Sequence, residues 1–285
     1  MQGRQLMSES QVPSHYQRPD FVRRREVLRE TIQAFENRSR QAWRELALGN
    51  VSRWRSERNT QHGTAELRVF QGDWGEVTHD LTHRYGEIFA VLNMANAYVP
   101  GGGYVEGMPA QEENMFRRTD CHFSITSAEI VPSIERYLPE KTDLLNATHG
   151  RVYLDADVPR VCIRGAEDRQ RPDLGYEWLS DEDVFPFYEL RAAAKDLRGG
   201  GRFDPSDARR RIAAQLDTLV ESGIAHVVLS AFGCGAFLNP AEEIASLYKE
   251  EIGRRRSSFH CVAFAIFYPG YGPDNWTPFR QILEG

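Results

Sequence analysis

Residues 88–94, IFAVLNM, form an almost unbroken apolar run that is too short for a typical buried helix, and they predict a central strand buried on both faces. Similar runs predict strands at 151–154, 158–163, 226–231 (HVVLSA) and 260–267 (HCVAFAIF), and Leu67, Val69 and Phe70 mark a short one. Residues 50–66, just before it, are polar and without period. Helical spacing of Val22, Val27, Leu28, Ile32 and Phe35 predicts an amphipathic helix over 22–38. Further helices are expected at 186–197, 205–222, 240–252 and 276–283, and Pro109 suits the first turn of another, AQEENMFRR. Strands alternating with helices predict an α/β layered domain, and the close pair of strands around Val158 points to a mixed sheet. The stretches 164–183 and 198–206 read as long surface connections. Residues 1–21, polar with Pro13 and Pro19, read as a disordered tail, and 22–285 as a single domain.

Composition narrows the classes. With 41 acidic and 35 basic residues the net charge is −6, which argues against nucleic-acid binding driven by overall positive charge. No apolar run reaches membrane-spanning length and the first twenty residues lack the apolar core of a secretory signal, so no membrane partner and a cytoplasmic location are expected. Cys121, Cys162, Cys234 and Cys261 are scattered without a CxxC pair, indicating reduced thiols rather than disulfides or a zinc knuckle.

Two glycine-containing loops, each after an apolar strand, carry the candidate chemistry: Asn96-Ala-Tyr-Val-Pro-Gly-Gly-Gly103 and Ser230-Ala-Phe-Gly-Cys-Gly-Ala-Phe-Leu-Asn-Pro240. Glycine lets backbone N–H groups approach phosphate oxygens, so both loops could hold an anion at the strand ends. Neither contains GxxxxGK[ST] or GxGxxG. Downstream of the triple glycine stands Gln111-Glu112-Glu113. If shielded from water, adjacent carboxylates would hold at least one proton and make a general acid; if exposed, they are an ordinary acidic first turn with Glu113 facing Arg117. Asp120, seven residues on, would share the Glu113 face if the helix continued, and it could equally pair with Arg117. Phe185, Phe187 and Tyr188 suit core or lid packing better than base stacking.

The segment VLNMANAYVPGGGYVEGMPAQEENMFRRTD resembles the signature of the microbial-type poly(ADP-ribose) glycohydrolase family, a branch of the macrodomains marked by GGG, a spacer of six to eight residues, and QEE. SAFGCGAFLNP is similar to the family's diphosphate loop, and RRREVLRETI and RVYLDADVPRVCIRG resemble its flanking elements. The resemblance implies a macrodomain-like mixed central sheet between helical layers, preceded by a helical N-terminal extension. It implies that Glu113 is the catalytic acid and that Glu112 holds the ribose hydroxyls beside the scissile bond. Gly101, Gly102, Gly103, Gly233, Cys234, Gly235 and Ala236 would wrap the diphosphate, Phe237 would press on the distal ribose, and Asn93, Asn96 and Gln111 would complete the ligand contacts. Tyr268, Tyr271, Asn275 and Trp276 fall where the family holds adenosine.

The activity implied is hydrolysis of the glycosidic bond of ADP-ribose attached to proteins or in poly(ADP-ribose), releasing ADP-ribose without cofactor or metal. Protonating the leaving oxygen while keeping anionic charge near the ring suits an oxocarbenium-like state. A mono-ADP-ribosyl hydrolase acting on an arginine linkage, with Asp120 polarising the leaving guanidinium, is the alternative; so is a non-catalytic ADP-ribose reader, against which Glu112 and Glu113 speak.

Overall fold

In the computed structural model, which describes residues 3–6, 12–57, 65–270 and 272–285, six strands form one sheet with helices on both faces. Strands β1 (Glu66–Gln71), β2 (Ala90–Met94), the two-residue hairpin β3 (Ile130–Val131) and β4 (Arg136–Tyr137), then β5 (Tyr153–Cys162), β6 (Phe185–Ala192), β7 (His226–Leu229) and β8 (Cys261–Ile266) follow in chain order. The sheet order is β1-β8-β7-β2-β6-β5; all neighbours are parallel except β5, which runs antiparallel to β6. The mixed sheet is therefore as expected, with one change. The two strands expected around Val158 are the single β5, whose register with β6 shifts between Asp155 and Arg160.

Period-two alternation sorts the side chains into two layers. Ala90, Leu92, Leu190, Val227, Leu229, Val262 and Phe264 pack beneath α6 (Pro205–Glu221), α7 (Ala241–Arg254) and α8 (Trp276–Glu284). Val91, Phe185, Phe187, Val228 and Ala263 face α1 (Pro19–Asn37), α2 (Arg40–Glu57), α3 (Trp74–Tyr85) and α4 (Gln111–Arg118). A short α5 (Pro139–Leu145) follows the hairpin. None of the described helices is long and apolar enough to cross a membrane.

Three expectations change. Residues 186–197 are largely strand β6, not helix: Phe185, Phe187, Glu189 and Arg191 share one buried face, Leu190 and Ala192 the other, and burial between β2 and β5 outweighs the helix propensity of ELRAAAK. Pro186 is tolerated because β2 joins β6 only from Tyr188 onward. Residues 50–57 belong to α2, with Ala47, Asn50, Val51 and Trp54 inward; residues 58–64 lie outside the described residues. In the described part of the expected tail, Arg4 and Val12 are buried, and α1 already begins at Pro19.

Candidate active site

The parallel strands deliver their carboxyl ends to one edge of the sheet, and β2 and β7 are neighbours there, so the two glycine loops emerge side by side. The helix α4 is joined to that edge by its first residue. Gln111 accepts the Met94 N–H through Oε1 at 2.9 Å and donates through Nε2 to the Leu92 carbonyl at 2.9 Å, so its amide replaces a missing strand partner at the end of β2. Its role is to brace α4 against the sheet.

The next two residues turn their carboxyls onto the first loop. Glu112 Oε2 accepts the Asn96 backbone N–H at 2.8 Å, and Glu113 Oε1 accepts the Gly103 N–H at 2.9 Å. The Asn96 side chain starts the loop by accepting the N–H groups of Tyr98 and Val99, both at 2.9 Å. Gly102 has φ +58°, and a Cβ there would stand 2.4 Å from Glu113 Oε1, so the position requires glycine on two counts. Both carboxyls are buried, and Glu112 Oε1 and Glu113 Oε2 have no protein partner. The exposed-first-turn alternative is thereby excluded. Arg117 turns away instead, donating to the Tyr176 hydroxyl at 2.8 Å and the Met108 carbonyl at 2.7 Å.

Burial pushes the Glu112 carboxyl well above the usual range, the Glu113 charge pushes it further, and the Asn96 N–H and Arg191 act against this. Glu113 is also raised, first by burial, with the Gly103 N–H and Arg117 opposing. Both shifts favour the protonated forms, and the unpartnered oxygens are where a proton would sit.

The second loop divides its residues. Gly233, at φ +74°, leaves no room for a Cβ against Ala194 and the Asn239 amide, while Gly235 and Ala236 are exposed. Cys234 packs into the core, and burial drives its thiol up, so only its backbone is available to a ligand. Phe237 is half-buried, with the Arg198 guanidinium 5.2 Å from its ring centre and its carbonyl accepting the Leu197 N–H at 3.1 Å. It stands at the loop surface, outside the core clusters. After β8, Tyr268 is exposed and Trp276 opens α8, while Tyr271 lies outside the described residues. Phe185 and Phe187 are core.

Two expected site residues stand elsewhere. The α4 helix ends at Arg118, and Asp120 opens a 3₁₀ turn where its Oδ1 accepts the Val161 N–H at 2.8 Å and Arg44 lies 4.0 Å from Oδ2. It shares no helix face with Glu113 and does not pair with Arg117. Asn93 points into the layer between sheet and helix, donating to Glu189 Oε1 at 2.8 Å. Sequence reasoning missed this layer. Glu189 is also held by Arg191 Nε at 2.6 Å and Nη2 at 2.9 Å, and Arg191 reaches the Ser124 and Tyr137 hydroxyls. Both side chains are wholly buried, and their charges act on Glu112. Polar residues alternating along a strand would have revealed them, had 186–197 been read as one.

Fold and site together define an α/β domain that presents paired, protonatable carboxyls at a glycine-lined strand edge. Residues 16–153, from before α1 to the start of β5, match the family model for the microbial-type PARG catalytic domain. The fold is similar to that of a poly(ADP-ribose) glycohydrolase from Thermomonospora curvata, at 19% identity and TM-score 0.61, covering 91% of this chain and 98% of that one. A second structure of that protein, bound to the inhibitor ADP-HPD, gives 19% and 0.59 over 90% and 98%. The enzyme from Deinococcus radiodurans in complex with ADP-ribose gives 22% and 0.55 over 85% and 92%. No curated protein matches the sequence significantly.

Proposed function

We propose that the chain hydrolyses the ribose–ribose glycosidic bond of poly(ADP-ribose) and releases ADP-ribose, with Glu113 as the proton donor. The reading is carried by one observation: two adjacent buried carboxyls, each tied through one oxygen to a loop N–H, each leaving the other oxygen free. In the macrodomain-like arrangement this supports, the Gly101–Gly103 turn and the Gly233–Ala236 backbone receive the diphosphate, and Phe237 packs on the distal ribose. Glu112 accepts from the hydroxyls beside the scissile bond. Glu113 Oε2 gives its proton to the leaving ribose oxygen as the C1–O bond breaks; the resulting carboxylate then takes a proton from the water that adds to C1, restoring the acid.

The arginine-linked alternative drew on Asp120 as the group that polarises a guanidinium. Since Asp120 is engaged by the Val161 N–H beside β5, that support falls away. Product analysis after parallel incubation with poly(ADP-ribosyl)ated and arginine-linked mono-ADP-ribosylated protein tests the assignment. Free ADP-ribose is expected from the polymer, and Glu113→Gln should lower its formation about a hundredfold or more while ADP-ribose still binds. Release from the arginine linkage alone, or a Glu113→Gln variant near the wild-type rate, would overturn it.

A further inference from the structure

The triple-glycine loop is gripped from outside the site as well as from within. Arg4, buried in the segment 3–6, donates from Nη1 to the Gly102 carbonyl at 2.7 Å, from Nη2 to Glu106 Oε1 at 2.9 Å and from Nε to Glu135 Oε2 at 3.0 Å. Its backbone N–H donates to the Tyr104 hydroxyl at 3.0 Å, and that hydroxyl lies 2.9 Å from His122 Nδ1. Burial lowers His122 to about 4, so at neutral pH the ring is uncharged and Nδ1 can accept the Tyr104 proton. The segment is therefore fixed at several points along the loop.

The carbonyl of Gly102 and the N–H of Gly103 belong to one peptide unit. Because that unit is planar, the guanidinium at its oxygen and Glu113 at its nitrogen hold one plane from opposite ends. Between two glycines such a plane is otherwise easily turned, and turning it over would aim the Gly102 oxygen at the Glu113 carboxyl. A cationic donor on the oxygen also polarises the amide and strengthens its N–H as a donor.

We infer that Arg4 is a positioning residue for the reaction: by locking the Gly102–Gly103 peptide it aims the Gly103 N–H at Glu113 and fixes where that carboxyl stands. The inference rests on Glu113 being the proton donor. Arg4→Ala is expected to lower kcat about tenfold or more and to weaken KM and ADP-ribose affinity by less, since the acid loses its placement whereas the diphosphate keeps the Gly233–Ala236 backbone. A pH profile adds a readout that a merely structural residue would not move. The groups acting on Glu113 are Glu112 and Arg117 from its own helix and Glu106 and the Gly103 N–H from the loop. Removing Arg4 loosens an N–H that favours the carboxylate and releases Glu106 from its cation. Both changes favour the protonated acid, so the alkaline limb of kcat should move to higher pH. Arg4→Lys, which keeps the charge and one donor for Gly102, should recover part of the rate. If Glu113→Gln is inactive but Arg4→Ala keeps the wild-type rate and an unmoved limb, the inference alone fails. Glu113→Gln near the wild-type rate overturns the proton-donor reading and this inference with it. Parallel losses of thermal stability, binding and rate with an unmoved limb would make Arg4 structural only, and also overturn it.

Discussion

A carboxyl whose pKa is raised by folding works against the folded state once pH passes its unfolded value. The native protein then holds a proton that the unfolded chain releases, so stability falls as pH rises towards the folded pKa. Glu112 is such a group, shielded from water and beside a second acid. Glu112→Gln keeps an oxygen for the Asn96 N–H and removes the charge, so its melting temperature should equal the wild type's near pH 4 and exceed it increasingly toward alkaline pH, although turnover falls. Thermal unfolding across pH checks this; a variant less stable at every pH would show that the carboxylate is favourably paired in the fold. Phe237 offers the opposite contrast. Lying at the loop surface beneath Arg198, it should cost little stability on Phe237→Ala, but the rate should fall more than ADP-ribose affinity, since a misplacement of about 1 Å can cost on the order of a hundredfold. Calorimetry and turnover on one preparation separate this from a core role, which would cost roughly 3 to 5 kcal/mol and lower both together. At this scale the acidic pair and the glycines were legible because their spacing is local. Arg4 was not, since its partner Gly102 lies 98 residues away and nothing near it in sequence announces the contact, while Arg191, only two residues from Glu189, is legible only once its segment is known to be a strand.

An element matters here through its ends. The α4 helix has no side-chain cap at Ala110, and its start is held instead by Gln111 against β2 and by two carboxyls against the loop. Loop and helix therefore form one unit, and a side chain at Gly102 would break it by displacing Glu113. Gly102→Ala is expected to abolish turnover at least as severely as Glu113→Gln while the melting temperature drops by only a few degrees, as the strain is confined to one loop. A crystal structure of the variant with Glu113 still on the Gly103 N–H, or retained activity, would refute that coupling. Elements whose apolar period ran cleanly, such as β2, β8, α1 and α6, were legible from the chain. The helix α3 was overlooked despite Asp73 accepting from Gly75 and Glu76 at its start and Gly86 in left-handed conformation at its end. Its capping residues signal a helix more clearly than its sparse apolar positions do. The strand β6 escaped for the reverse reason: its helix-forming residues follow a strand's alternation only once β2 and β5 are known to flank it.

Across the whole molecule, the connection 164–183 does more than link β5 to β6. Glu167 is buried beneath the site and accepts from Arg24 of α1 at 2.7 Å, from the Tyr176 hydroxyl at 2.6 Å and from Arg169 at 3.1 Å, with Arg117 of α4 at 3.7 Å. Although burial opposes ionisation, Arg24, Arg117 and the Tyr176 hydroxyl together hold its carboxyl down to about 2. A depressed folded pKa gives stability that is fully present above the unfolded value, near 4.5, and is lost as pH falls through about 2. The size of the shift corresponds to something on the order of 3 kcal/mol. The N-terminal helix, the acid-bearing helix and the long connection should therefore loosen together between about pH 4.5 and 2. Glu167→Gln should remove that acid-dependent part and, by leaving buried guanidinium groups without their anion, lower stability at neutral pH by roughly 3 to 5 kcal/mol. Denaturant unfolding at a series of pH values distinguishes the outcomes. A variant as stable as wild type at pH 7, or one that still loses stability as steeply below pH 4.5, would place the acid sensitivity elsewhere and leave α4 anchored chiefly by its contacts with the sheet and the glycine loop.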